Sequence, residues 1–350
     1  MQKTIWTKAV LFVGILCLLG CDNELDVAAD WKEIAIVYGA INPSVDKNYV
    51  RIQRAYLDEN TSAFAFSSLK DSLYFDTLVV YVDEFQKSSN GEYQFTQRME
   101  LSKVDGNLIG IPKDTGVFYS DENILYELNA DLKASLYATD WSYRLTVQNP
   151  KNGYVATATA TSLGDIQARS PISPTGGSVY ISANQNHVVP VVFQEGKHAR
   201  AYRVAMNVVV EETKIDNPSE KEIKNLEWIM INSGETEELR GFNDANYKVL
   251  SAGFFAMLKS RLEIDKTLER RLVSYDLVFY GISDDFNTFL SVLQPSTTIV
   301  QKKPEFTNID NGLGIFTSRN ITIFDNRKFN ATILPQVQSS PITSELGFVK

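Results

Sequence analysis

From residue 33 onward the chain reads as short apolar or alternating runs separated by turn residues, and this spacing constrains its fold more than any other feature. Runs of about five to eight residues with period two bury one face of a strand, whereas helices need longer stretches with a period near 3.6. Residues 33–40 are almost continuously apolar up to Gly39, Asn42-Pro43-Ser44 is a turn signal, and residues 49–56 complete a hairpin. Residues 63–69 suit one or two helical turns, and residues 78–82 suit a buried strand. Asn90-Gly91, set between 79–85 and 93–97, is the strongest short-range hairpin signal in the chain. Trp141, Tyr143, Leu145 and Val147 alternate with Ser142, Arg144 and Thr146, and the run turns at 149–153 into 154–161. Without a helix of ten residues between them, these strands predict a mainly β fold that opens with an immunoglobulin-like antiparallel β-sandwich over residues 33–165.

Ser170-Pro171, Ser173-Pro174 and Gly176-Gly177 form the densest cluster of breakers, which places a linker at 166–178. Residues 179–350 are expected to form a second β-rich domain. Tyr202, Val204, Met206, Val208 and Val210 share one face of a long strand, 226–231 form another, and Val273, Tyr275, Leu277 and Phe279 mark a third. Two short helices interrupt them, near 252–262 and 284–293, the second with Phe286, Phe289, Leu290 and Leu293 on one stripe and Ser283 as its cap.

The N-terminus carries a different kind of information. Lys3 and Lys8 precede an apolar stretch at 9–19, and Leu18-Leu19-Gly20-Cys21 is a bacterial lipobox. The stretch is too short for the ~30 Å of a bilayer core and matches the apolar region of a signal peptide. Residues 1–20 are therefore expected to be removed, leaving Cys21 as the lipid attachment site with palmitate-type acyl chains and 21–32 as an acidic tether. Cys17 leaves with the signal and Cys21 is acylated, so no disulfide supports the cores. The net charge of −9 becomes −11 once Lys3 and Lys8 are gone, which argues against a nucleic-acid partner.

The lipobox, the strand pair Ile34-Ala35-Ile36-Val37-Tyr38-Gly39 with Tyr49-Val50-Arg51-Ile52, and Tyr143-Arg144-Leu145-Thr146-Val147 turning into Gly153-Tyr154-Val155-Ala156 resemble a large family of Bacteroidota outer-membrane lipoproteins. Near the C-terminus, Phe306-Thr307-Asn308-Ile309 leading into Gly312-Leu313-Gly314-Ile315-Phe316 is similar to that family's Asn, Gly-Leu-Gly and aromatic stretch. These motifs are structural, and none is a signature of chemistry. The resemblance implies a lipid-anchored outer-membrane location, with the acidic tether pointing to the cell surface, and a role beside a TonB-dependent transporter barrel.

Chemistry is sparse. His187 and His198 are too few for a zinc site without cysteines, and no G-x-S-x-G elbow is present. Gly312-Leu313-Gly314 lacks the third glycine of a dinucleotide fingerprint and reads as a turn needing positive φ, while Asp310-Asn311-Gly312 has the wrong spacing for an EF-hand. Asp284 and Asp285 sit at a helix start, where capping explains them. Asp71-Ser72-Leu73 and Asp76-Thr77-Leu78 resemble the short acceptor motif for O-linked glycans in exported Bacteroidota proteins, so Ser72 and Thr77 are candidate modification sites unless strand burial hides them. The Asn-x-Thr triplets at Asn320 and Asn330 carry little meaning in a bacterium.

The expectation is a non-enzymatic outer-membrane lipoprotein, with no cofactor or metal, acting as a binding or accessory subunit of an outer-membrane β-barrel. Gly312, Gly314, Ile315 and Phe316 are expected to form part of the barrel contact, since the glycines permit close backbone approach and the apolar pair offers area; the competing place for that pair is the protein's own core. Two other readings stand beside it: a surface glycan- or peptide-degrading hydrolase using dispersed carboxylates, which needs a cleft with two perturbed acids, and a structural cell-surface adhesin with a flat aromatic or glycosylated face.

Overall fold

Seventeen strands and four short helices make up the described part of a computed structural model, which covers residues 33–55, 68–116, 118–136, 138–236, 241–293 and 305–350. The first half contains β1 (Ile34–Ile41), β2 (Lys47–Ala55), β3 (Val79–Lys87), β4 (Tyr93–Glu100), β5 (Ser102–Asp105), β6 (Ile124–Asn129), β7 (Trp141–Asn149) and β8 (Tyr154–Thr161). A four-residue helix, α1 (Lys70–Leu73), precedes β3. The helical turns expected at 63–69 fall almost entirely outside the described residues. The second half contains β9 (Gln167–Ser170), β10 (Ile172–Ser173), β11 (Gly176–Gly177), β12 (Val188–Gln194), β13 (Ala201–Lys214), β14 (Lys221–Glu235), β15 (Asp244–Leu250), β16 (Leu268–Ile282) and β17 (Gly312–Arg327). Its described helices are α2 (Ala252–Arg261) and α3 (Asp284–Leu293), which the sequence pattern indicates, and α4 (Ile333–Ser339), which it does not.

The three hairpins read from alternation and turn chemistry are present. β1 pairs with β2 from Ile34↔Ala55 to Gly39↔Val50, β3 with β4 around Asn90-Gly91, and β7 with β8 from Ser142↔Thr161 to Asn149↔Tyr154. Gly91 sits at φ +90°, as a tight two-strand connection requires.

One eight-stranded sheet, ordered β14-β13-β16-β17-β1-β2-β6-β5, backs two smaller sheets. The four-stranded sheet β4-β3-β7-β8 packs on its β1 side, where Val37, Ile52, Tyr126 and Leu128 meet Val82, Tyr143, Leu145 and Ala158 in one core. The three-stranded sheet β15-β12-β9 and α2 cover its β13 side, where Val204, Met206 and Phe279 meet Val191, Phe193, Phe254 and Leu258 in a second core. Alternating burial along β1 and β8 is the signature of such two-layer packing.

The sheet is made continuous by β17, which pairs antiparallel with β16 and parallel with β1. The segment leading into it and its first residues fill the first core: Ile309, just before β17, and Phe316 within it are both buried with side chains of β1 and β8. Gly314 is the position that allows this approach. It has φ +96°, and a Cβ there would lie 2.0 Å from the Val37 carbonyl oxygen. The breaker-rich 166–178 segment is built into the molecule, with Ile166, Ala168 and Ile172 buried and β9 paired to β12. Ile34–Lys350 is one compact unit.

The apolar stripes of the two expected helices have different fates. In α2, Phe254, Met257 and Leu258 are buried, with Leu262 just beyond its end. In α3 nothing is buried. The helix lies over the outer face of β1 and β17, where Phe289 approaches Tyr38 at 6.3 Å while Leu290 and Leu293 stay exposed.

Candidate binding groove

A groove of about 830 Å³ opens where the β1–β2 turn, the end of β3, the β6–β7 connection and the middle of β17 converge. Its walls carry Trp141, Leu132, Leu136 and Ile166, and its polar groups are Ser44, Gln86, Lys133, Thr139, Asp165 and Thr322. The lining is fixed from beneath. Buried Asn320 donates to Ser44 Oγ at 3.1 Å and to Asp165 Oδ1 at 3.0 Å, and Thr322 Oγ1 donates to the Ile166 carbonyl at 3.1 Å. Trp141 is held by its backbone N–H, which donates to the buried Ser135 Oγ at 3.1 Å. Gln86 and Thr139 add an amide and a hydroxyl to the lining.

Beside the groove, Asp140 gathers basic side chains. Lys197 Nζ and His198 Nε2 each lie 2.7 Å from Oδ1, Lys87 Nζ lies 3.8 Å from Oδ2, and Lys197 Nζ also donates to the Leu136 carbonyl at 3.1 Å. Burial works to raise the Asp140 carboxyl, but the hydrogen bonds and charges of Lys197 and His198 outweigh it and hold the group below the usual carboxylate range. His198 reaches this position with φ 64°, unusual for a side-chain-bearing residue. The group cross-links strands of the first core to the β12–β13 loop. A carboxyl held ionised in this way is suited to anchoring and unsuited to donating a proton.

Cys21 and the acidic tether lie outside the described residues. Ser72 is buried in α1, so its hydroxyl is closed to modification, whereas Thr77 is exposed beside Asp76, which pairs with Lys151 at 3.0 Å. The barrel contact expected of Gly312, Gly314, Ile315 and Phe316 is overturned for its apolar part. These residues begin β17, Ile315 and Phe316 are buried, and the glycines approach this chain's own Ile309 and Val37. The turn there is made by Asn311 at φ 57°, whose Nδ2 donates to the Val155 carbonyl at 2.7 Å; Gly312 has no positive φ. Asp310 pairs through its backbone with Thr157. Asp284 ion-pairs with Arg200 at 3.4 Å, Asp285 accepts from Asn308 at 3.1 Å, and Ser283 Oγ caps α3 through the Phe286 N–H at 3.2 Å. His187 stacks edge-on with Tyr180 at 5.0 Å, far from the Asp140 group in the chain. Among the described residues, no group of three His, Cys, Asp or Glu is placed to hold a metal ion.

The sequence pattern treated Trp141 as one more apolar strand position and passed over Asp140, Asp165 and Lys197. The adjacency of Asp140 to Trp141 and of Lys197 to His198 was visible, but nothing in it shows that the two pairs meet. No protein-family model matches this chain, and no curated protein matches it.

Proposed function

We propose that this chain is a lipid-anchored outer-membrane binding protein that seats a small ligand in the Trp141 groove and serves as an accessory subunit of an outer-membrane β-barrel. The observation that carries the binding reading is the groove itself: apolar walls with a few converging polar groups on a rigid two-sheet frame suit recognition. The anchor and the barrel come from the lipobox and the family resemblance. The hydrolase reading asks for two carboxyl groups with divided roles. The groove lining offers one, Asp165, and neighbouring Asp140 is tied to Lys197 and His198. Thr77 is the accessible candidate for glycan attachment.

The immunoglobulin-like reading of the first half has its own support. β1-β2-β6-β5 facing β4-β3-β7-β8 follows the order A-B-E-D over C′-C-F-G. Tyr143, early in β7, accepts from the Lys133 N–H at 2.6 Å and donates to Glu84 Oε2 at 3.1 Å, in the manner of a tyrosine corner. The buried tryptophan and disulfide of antibody domains have no counterpart here.

Calorimetric titration of the purified protein with panels of soluble oligosaccharides and peptides tests the reading. Saturable binding that Trp141→Ala weakens at least tenfold, with no product formed, is expected. Turnover lost in Asp165→Asn would replace it with the hydrolase reading.

A further inference from the structure

In the connection between β5 and β6, the described residues 106–116 and 118–123 hold large apolar side chains out in water on a hydrogen-bonded frame. A 3-10 turn, Gly106–Ile109, is capped by Asp105, whose carboxylate accepts from the Asn107 N–H at 3.0 Å, and Gly110 closes it at φ 82°. Asn107 Nδ2 donates to the Ser120 and Asp121 carbonyls at 3.0 and 3.1 Å, and its Oδ1 accepts from the Lys113 N–H at 3.0 Å. Fully buried Asn123 donates to the Ile111 carbonyl at 2.8 Å, and a Cβ on Gly106 would lie 2.6 Å from both Asn123 Nδ2 and the Ile111 carbonyl oxygen. On this frame Leu108 is 84% exposed, Phe118 59%, Ile109 41% and Ile111 37%. Exposed apolar residues are ordinary when scattered singly; four on one braced loop mark a surface that is covered in use.

Its place in the fold says by what. Ile34 pairs with Ala55, Val50 with Tyr126, and Asp105 with Ile124, so the loop sits at the end of the sheet where β1 begins. The groove lies at the other end, by the β1–β2 turn. Three strand spacings, ~14 Å, separate β5 from β1 across the sheet. The twelve residues 22–33 that connect Ile34 to Cys21 reach at most ~40 Å, so an acylated Cys21 attaches the molecule at this end of the sheet. Exposed Lys103 stands just before the loop, while Lys113 within it is folded inward, its Nζ donating to the Tyr119 carbonyl at 2.6 Å.

We propose that Leu108, Ile109, Ile111 and Phe118 insert into the headgroup–acyl boundary of the bilayer that holds the lipid anchor, forming a second, non-covalent membrane contact that turns the groove away from the surface. This rests on the lipoprotein reading. A peripheral apolar contact of this kind sits roughly 5–10 Å into the boundary, within reach of side chains on a one-turn loop.

The test uses the acylated protein in vesicles of phosphatidylethanolamine and phosphatidylglycerol containing a lipid spin-labelled near the headgroup. Cys17 is removed with the leader and Cys21 is blocked by acylation, so Leu108→Cys and Phe118→Cys each give one site for an environment-sensitive fluorophore. Ile223→Cys, exposed on β14, serves as the control. Quenching by the lipid at 108 and 118 at least threefold stronger than at 223 is the expected result. Equal quenching at all three sites on vesicle-bound protein overturns the inference. Protection of 108 from aqueous iodide without lipid quenching also overturns it, since the cover is then a protein. Protein that does not stay with the vesicles removes the lipoprotein reading, and this inference with it.

Discussion

Asp83 shows how a strand facing water on one side carries a buried carboxylate. Arg98 grips it with Nε at 2.7 Å and a second nitrogen at 3.0 Å, while Arg144 adds a contact at 3.2 Å from the neighbouring strand. The two guanidiniums then lie over Tyr81 and Phe85, at 3.8 and 5.0 Å from the ring centres, which shields the pair from one side. The hydrogen bond from Arg98 pulls the Asp83 carboxyl below the usual range, burial opposes this, and Arg144 adds to the pull. A carboxyl lowered in the folded state contributes stability above its unfolded value, roughly pH 4, and loses it as the pH falls through the folded value. Both arginines are half exposed, so solvent screening keeps the gain modest. Asp83→Asn is expected to lower the melting temperature at neutral pH and to flatten the melting curve's dependence on pH below about 4. An unchanged acid slope would show that Asp83 does not contribute to it. None of this triad was readable beforehand, because Asp83, Arg98 and Arg144 look like ordinary outward positions until strand register sets them side by side.

At the scale of elements, local signals were legible and distant ones were not. Alternation and the Asn90-Gly91 turn carry the hairpins, and the 3.6 period carries α2 and α3, since each pattern is complete within one window of sequence. The C-terminal tail had no such signal. It is clamped by Arg270, which donates from Nε to Glu212 Oε1 at 2.7 Å and from a terminal nitrogen to the Leu346 carbonyl at 2.7 Å, while the Arg270 backbone binds Gly347 and Val349. Arg270 and Glu212 are both buried, so removing one partner strands the other. Glu212→Gln is expected to cost about 3–5 kcal/mol in chemical denaturation. The double variant Glu212→Leu with Arg270→Met should cost less than the single change, because no charge is then left unpaired. A double variant weaker than Glu212→Gln would instead put the value of Arg270 in its hold on the Leu346 carbonyl.

The whole molecule turns on β17, a strand that belongs by sequence to the second half and by packing to both. It closes the outer edge of β1 through seven paired positions from Ala35↔Gly312 to Ile41↔Ser318 and places Phe316 in the first core, while the residues just before it add Ile309 to that core and bond Thr157 through Asp310. No local pattern announces a parallel pairing between residues this far apart, and the breaker-rich 166–178 segment draws the eye to a boundary that the strand order crosses. The physical consequence is that residues 33–165 alone would lack a strand and two core side chains. Losing a buried phenylalanine alone costs about 3–5 kcal/mol, a large share of the ~5–15 kcal/mol that stabilises an ordinary domain. The isolated 33–165 fragment is therefore expected to bind a hydrophobic dye and to melt without a cooperative transition. A synthetic peptide spanning 305–320 should restore the transition when added, and the same peptide carrying Gly314→Val should not, since a side chain there collides with the Val37 carbonyl. A sharp transition in the fragment without any peptide would show that the first sandwich stands alone and that β17 only decorates its edge.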